Sequence, residues 1–416
     1  MILRLAIGSL GARALTVAMT ILAIALSVVL FLGVEKVRAG AKASFADTIS
    51  GTDLIVGARS GSVQLLLYSV FRIGNPTNNV TWQSYQEIAR QPQVDWIVPI
   101  SLGDSHRQFR VMGTSLAFFD HYKYRQGRGL AFDEGVVMAD LYDAVIGADV
   151  AATLSYEVGD PIVVAHGIAS FTEHDDQPFR LSGVLEKTGT PVDRTVIVSM
   201  EAIEAIHVDW RNGAKTPGTT TPTEVIRQMD LTPKAVTAAL VGVESPLQTF
   251  SLQRAINQYP NEALLAVLPG VALQELWGIV GVAETALLGV SAMVVVTALI
   301  GMMATIFSSL NERRREMAIF RAMGARPSII MGLLVLEAAL TAAAGAVLGL
   351  GLLYVGLIIA QPIVDGAFGL WLPIEAPSLR EIWVIVGVVA AGAIVSLIPA
   401  LRAYRLSVAD GMMVRI

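Results

Sequence analysis

The chain holds 416 residues, 54% of them hydrophobic and only 16% charged, with a formal charge of −5 and no cysteine. Soluble globular chains carry roughly 25% charged residues, so a wholly soluble enzyme is disfavoured, and the acidic balance speaks against a nucleic-acid binder. The missing thiols exclude disulfide scaffolds, thiol catalysis and cysteine metal sites.

The chain opens with a short amphipathic segment, 1–13, in which Leu3, Ile7 and Leu10 recur at helical spacing. Such a segment suits the inner membrane surface. Four apolar runs follow: Ala14–Val34, Thr285–Leu310, Ser328–Ala360 and Ile382–Leu401. About 20 apolar residues cross about 30 Å of hydrocarbon, and all four runs are long enough. The first exceeds the 7–15 residues of a signal-peptide core, so it reads as a retained anchor. The third alone carries a charge, Glu337.

Between the first two runs, composition is that of an ordinary soluble domain. Thr81–Arg90 predicts a helix with Thr81 as N-cap, and Asp149–Leu154 a second. Val94–Ile100, Phe109–Gly113, Gly135–Met138, Pro161–Ala165, Phe179–Val184 and Thr195–Ser199 predict short strands. Asn212–Pro222 reads as a turn-rich loop. No proline interrupts Val271–Leu310, so that helix outruns the bilayer, and Glu35–Ile49 is helix-compatible too; both predict stalks outside the membrane.

The predicted fold is therefore an integral membrane α-helical protein with four transmembrane helices in a one-plus-three arrangement. A large α/β extracytoplasmic domain lies between helices 1 and 2. In residue numbers, the helices are 14–34, 276–310, 328–360 and 382–401. The outside domain with its stalks is 35–275, the cytoplasmic loop 311–327, the second outside loop 361–381 and the cytoplasmic tail 402–416. Arginine placement sets the orientation. Arg4, Arg13, Arg313, Arg314, Arg315, Arg321, Arg326, Arg402, Arg405 and Arg415 cluster at the termini and in the first short loop. The opposite loop holds Asp365, Glu375 and Glu381 against Arg380. Both termini are thus expected in the cytoplasm, in a multi-pass protein of the bacterial inner membrane.

Sequence motifs for catalysis are missing: there is no P-loop, no H-E-x-x-H and no G-x-S-x-G. The chain is expected not to be an enzyme. The informative stretch is Asn311–Ile330, basic yet carrying Met317, Ile319 and Phe320, with Gly324 placed to stop a helix. It predicts a short amphipathic helix whose apolar side needs a surface to bury against.

Arg313, Glu316, Met317, Ala318, Arg321, Ala322, Met323, Gly324 and Ala325 match the "R-x-x-E-(I/M)-(A/G)-x-x-(R/K)-A-(L/M)-G-A" signature. The chain thereby resembles the ABC transporter permeases of the FtsX/MacB superfamily, the lipoprotein-releasing and macrolide-exporting branch of type VII permeases. Pro399, Ala400 and Ala403 resemble the superfamily's "P-A-x-x-A" element, and Leu5–Leu10 and the topology agree. Ser407–Met412 departs from the usual "D/S-P-x-E-A-L".

The resemblance implies a permease subunit that couples ATP hydrolysis by a separate cytoplasmic ATPase to motion of its extracytoplasmic domain. The outcome would be export, or extraction of a substrate from the membrane or periplasm. The alternative is a non-transporting mechanotransmission subunit that regulates a partner such as a cell-wall hydrolase. It implies ATP and Mg in the partner ATPase, none in this chain, and a second permease copy as a homodimer or with a close paralogue. Contact with membrane lipid follows, as do an adaptor, binding protein or hydrolase outside and no nucleic acid. Coupling to the ATPase is expected of Glu312, Arg313, Arg314, Arg315, Glu316, Ile319, Arg321, Ala322, Gly324 and Ala325.

Two further features stand apart. Glu337 is an intramembrane carboxylate, a functional group by default, though near enough to the inner face to pair with an arginine. The glycines at 345, 349, 351 and 356 predict close helix packing. All five histidines lie in the outside domain. His166, His174, Asp175, Asp176, His207 and Asp209 offer imidazole plus carboxylate, a usual zinc ligand set, or else a solvated polar surface.

Overall fold

The computed structural model describes residues 2–125, 127–167, 174–211, 214–216, 220–312, 314–368 and 374–405. It divides into two compact units. One comprises 1–40, 281–362 and 373–416, and the other 41–280 with 363–372.

The first unit is helical. Helix α1 (Ile2–Gly11) precedes α2 (Ala14–Asp47), and a mixed domain separates α2 from the remaining long helices. Four helices are long and apolar enough to cross a membrane, from Ala14, Pro269, Pro327 and Leu379. Ile24, Val28, Leu32, Leu299, Met302, Ala342, Ala346, Leu353 and Val388 form their shared core. Small residues set the spacing. A Cβ on Gly349 would meet the Ala25 carbonyl oxygen at 2.7 Å, and one on Gly345 would meet Ile24 at 2.8 Å. These two glycines let the third crossing helix touch α2 backbone to backbone. Gly351 and Gly356 have nothing within 4 Å in this chain and take no part in this contact with α2. The third helix also runs past Ala360 to Phe368 with Pro362 inside it, so the expected loop is shorter than the apolar run suggested.

Charges gather where the helices end. Lys36 Nζ lies 2.7 Å from Glu381 Oε1, whose other oxygen accepts from the Tyr354 hydroxyl at 3.0 Å. Arg38 pairs with Glu284 at 2.9 Å and Arg380 with Glu35 at 2.5 Å.

The second unit is built on an eleven-stranded mixed sheet. In chain order its strands are β1 (Leu54–Ala58), β2 (Val94–His106), β3 (Phe109–Thr114), β4 (Phe132–Gly135), β5 (Asp143–Ile146) and β6 (Pro161–Ile162). They continue as β7 (Ala165–His166), β8 (Phe179–Leu185), β9 (Thr195–Ser199), β10 (Ala238–Val243) and β11 (Leu264–Val267). The path across the sheet is β11-β1-β10-β2-β3-β9-β5-β8-β4, with β7 on β2 and β6 on β8. Only β9 with β3 and β8 with β5 run parallel.

Helices cover the sheet: α3 (Ser62–Ser69), α4 (Trp82–Ala89), α5 (Met200–Ile206) and α6 (Thr249–Asn257). Thr81 caps α4, its hydroxyl accepting from the Ser84 amide, as its position predicted. Strand β2 extends six residues beyond Ile100, while 136–138 are not strand, because Gly135 turns the chain with φ +74°. The segment expected as one strand at Pro161–Ala165 divides into β6 and β7 on different neighbours. The ends of the domain meet in the sheet, with Ile55 opposite Val267. Beside them the Phe45 ring stacks on Phe71 at 4.2 Å and meets Trp277 edge-on at 5.5 Å.

The glycine contact gives a direct test. Gly349→Ala places a methyl group against backbone that cannot yield and should destabilise the bundle by about 1–3 kcal/mol. Gly351→Ala meets open space and should be neutral or slightly stabilising. Thermal unfolding of both variants in detergent checks this; equal melting temperatures would contradict the contact.

Candidate functional site

The segment predicted to be a short amphipathic helix is helical. Helix α7 (Pro269–Glu312) is followed by α8 (Arg314–Ala322), and α9 (Pro327–Phe368) succeeds it; α10 (Leu379–Arg405) completes the set. Gly324, at φ +92°, ends α8 in the left-handed conformation that glycine adopts without cost. Met317 and Ala318 are buried beside Leu310, Ile330, Leu334, Ala400 and Ala403. The buried face thus includes Met317 and Ala318, whereas Ile319 is 58% exposed and Met323 70% exposed. These two stand at i and i+4, on one side of the helix. Arg321 is half-buried, Ala322 exposed and Ala325 half-buried. Arg313 lies outside the described residues, as do the side chains of Glu312, Arg314, Arg315, Glu316 and Phe320.

Glu337 is buried on α9, and Arg13 Nη2 stands 3.2 Å from its carboxylate. The arginine comes from the turn between α1 and α2, ahead of the first crossing. An ion pair at the helix end accounts for a carboxylate that hydrocarbon alone would not tolerate.

In the outside domain the sheet register assembles a polar cluster. Strand β7 pairs antiparallel with β2 so that His166 lies directly opposite Asp104, and cross-strand neighbours of this kind face one another. Strand β9 delivers Ser199, whose hydroxyl accepts from the Ala202 amide and starts α5. Eight residues later His207 caps the other end of that helix. The chain returns at His174, held by its amide to the Val164 carbonyl at 2.7 Å. One ligand atom from each of Asp104, His166, His174 and His207 lies within 4.8 Å of the others.

The finer distances are shorter. His166 Nδ1 is 3.1 Å from His207 Nε2 and 3.3 Å from Asp104 Oδ1, and His207 Nε2 is 3.7 Å from the same oxygen. His207 Nδ1 lies 2.7 Å from the Ile203 carbonyl, so that nitrogen carries the proton and donates, leaving Nε2 as a lone pair aimed into the cluster. Trp210 covers it, 4.2 Å from the His174 ring. His174 is fully buried with neither ring nitrogen hydrogen-bonded, and Asp104 Oδ1 is likewise buried without a hydrogen bond. Burial, reinforced by neighbouring His207, pushes His174 down to about 4. The Asp104 carboxylate raises His166 above the usual imidazole value.

Three of the six residues anticipated as polar or metal-responsive therefore converge, and three do not. Asp175 is exposed. Asp176 acts on His174 through its charge and brings no oxygen into the cluster. Asp209 is engaged elsewhere, accepting from the Thr221 amide and hydroxyl, both at 2.7 Å. In the neighbouring loop, 212–213 and 217–219 lie outside the described residues. Asp104 was not anticipated; its one signal in sequence is an acid two residues before His106, near the end of the strand that continues past Ile100. His106, two residues on, is a satisfied core histidine between the Val163 carbonyl and the Tyr156 hydroxyl.

Two family models match the chain. The MacB-like periplasmic core domain covers residues 17–258, and the FtsX-like permease C-terminal covers residues 288–408. Among solved structures, the periplasmic region of MacB from Actinobacillus actinomycetemcomitans is similar at 12% identity. That match covers 55% of this chain and 94% of that one, with a TM-score of 0.34. The extracellular domain of the noncanonic ABC-type transporter YknZ from Gram-positive bacteria is similar at 14% identity, covering 51% and 98%, with a TM-score of 0.30. Curated proteins give no match.

The Arg13–Glu337 pair is open to a double-mutant cycle. Arg13→Ala and Glu337→Ala should each lower thermal stability, and the double variant should show a coupling of about 0.5–3 kcal/mol. Strict additivity would mean that the two side chains do not depend on one another.

Proposed function

The chain belongs to the FtsX/MacB-like ABC permease family, and we infer from that membership that it couples a cytoplasmic ATPase to its extracytoplasmic domain. ATP and Mg bind in that separate subunit. The work delivered is export, or extraction of a substrate from the membrane or periplasm, across a bacterial inner membrane with both termini in the cytoplasm.

The observation that carries this reading is the division of α8. Its Met317–Ala318 side is anchored to the bundle, while Ile319 and Met323, one turn apart, project as an exposed apolar pair. Exposed apolar side chains on a segment this rich in arginine suit a partner's groove. A displacement there acts on α7 before it and α9 after it. Helix α7 has 44 residues, about 66 Å at 1.5 Å per residue, more than twice what the bilayer needs. That length supports delivery of motion beyond the membrane, as rigid elements carry small shifts over distance.

A groove of 660 Å³ between α2 and α7 is mostly apolar, with Met19, Leu26 and Leu30 beside small residues such as Ala23, Ala298 and Gly301. Such a lining suits a helix of a second permease copy. It offers no charged group to a hydrophilic substrate, which favours an outside domain that does the selecting.

Ile319→Glu with Met323→Glu should abolish co-purification with the ATPase and its stimulation, while the melting temperature of the permease holds. Full stimulation by the double variant would sink the coupling assignment. Orientation is checked independently: a reporter inserted after Thr220 should read outside and one after Arg326 inside, and the reverse pattern would overturn the arginine-based topology.

A further inference from the structure

We propose that Asp104, His166, His174 and His207 form a closed binding site for a divalent transition metal, zinc, in the outside domain. A hydrogen-bonded histidine cluster is the simpler account, and it fails at one residue. A single proton shared between His166 Nδ1 and His207 Nε2 satisfies both of those atoms. It leaves the buried His174 with two nitrogens lacking hydrogen bonds, and Asp104 Oδ1 with no contact closer than 3.3 Å from His166. Buried polar groups are almost always partnered, and a cation at the centre partners all four residues at once.

The spacing fits. Zinc holds its nitrogen and oxygen ligands at 2.0–2.1 Å, which puts tetrahedral ligand atoms about 3.3 Å apart. The atoms of His166, His207 and Asp104 stand at 3.1, 3.3 and 3.7 Å from one another, and His174 closes from no more than 4.8 Å. Donor chemistry narrows the ion. Calcium and magnesium take oxygen ligands, and copper(I) prefers thiolate or thioether; three imidazoles and a carboxylate suit zinc. The surroundings are those of a metal site as well. The hydrogen bond from His207 Nδ1 to the Ile203 carbonyl fixes the tautomer that presents Nε2, the usual outer-shell arrangement.

Four protein ligands leave no open position, so the metal is structural or regulatory in kind, not catalytic. It ties strands β2 and β7, the return at His174 and the end of α5 into one unit, although these residues span more than a hundred positions of sequence. The half-exposed edges of His166 and His207 give the ion a route to solvent, so occupancy follows external zinc. This site stands independently of the coupling assignment above.

The test uses the full-length chain in detergent, stripped with chelator and titrated with zinc alone. We expect one tightly bound zinc per chain by elemental analysis and a rise in melting temperature of roughly 5 °C at a hundredfold excess over Kd. Cobalt(II) in place of zinc should give the intense visible bands of a tetrahedral ion. His174→Phe keeps the buried volume and removes the orphaned nitrogens; it should fold at least as stably without metal yet bind zinc at least about 100-fold more weakly. Asp104→Asn with His207→Ala should lose both the stoichiometric zinc and the cobalt bands, whereas His121→Ala, whose ring stacks on Trp96 away from the cluster, should keep them. Absence of stoichiometric zinc in the parent chain, an octahedral cobalt spectrum, or undiminished affinity in His174→Phe would each overturn the site.

Discussion

Hydrocarbon offers the backbone no hydrogen-bond partner, and that constraint organises this molecule from end to end. A chain that crosses must close its hydrogen bonds within each helix, which fixes four long apolar helices and pushes charge to their termini. Arg13 and Glu337 meet at one end, and Lys36, Glu381, Tyr354, Glu35 and Arg380 at the other. Hydrophobic burial cannot hold such helices together, since lipid is as apolar as their own side chains. Close approach does so instead, through Gly345 and Gly349 against α2. The ion pairs and the glycines are thus two answers to one solvent.

The outside domain obeys different rules and reaches a different chemistry. In water the sheet can bury mixed cores on both faces, and its crossovers bring together residues that the sequence keeps far apart. Asp104 and His166 meet by register, His207 by the length of one capped helix, and His174 by a return that hydrogen-bonds to Val164. None of these placements is local, which is why the cluster needs the whole sheet to exist.

That distinction also decides what was legible in the sequence. Apolar runs and arginine bias are local signals, and they disclosed the crossing helices and the α/β insertion between the first two. Thr81 announced its helix because capping is settled within four residues. Strands β1, β10 and β11 went unread: Leu54–Ala58 and Ala238–Val243 are buried along their whole length, so they show no alternation to mark them as strand. The histidines were suspected from their acidic neighbours in sequence, yet Asp175 and Asp209 turned elsewhere and the true neighbour was Asp104, supplied across a ladder. On α8 the apolar content was plain, but which side chain faces the bundle depends on helix phase, and it is Met317 and Ala318 that do so while Ile319 stays exposed.

Strands β1 and β11 also determine how the outside domain bears load. They are antiparallel neighbours, and α2 enters and α7 leaves at the same end of that ladder, where Ile55 faces Val267. Pulling the two helices sideways from each other would peel the ladder open one hydrogen bond at a time, the weakest way to strain a sheet. Driving one helix lengthwise against the other would instead load every bond together in shear. The aromatic clasp of Phe45, Phe71 and Trp277 sits at that vulnerable end and grips both helices. The clasp therefore adds packing where the ladder alone is easiest to open, so the domain's two ends are held by rings as well as by hydrogen bonds.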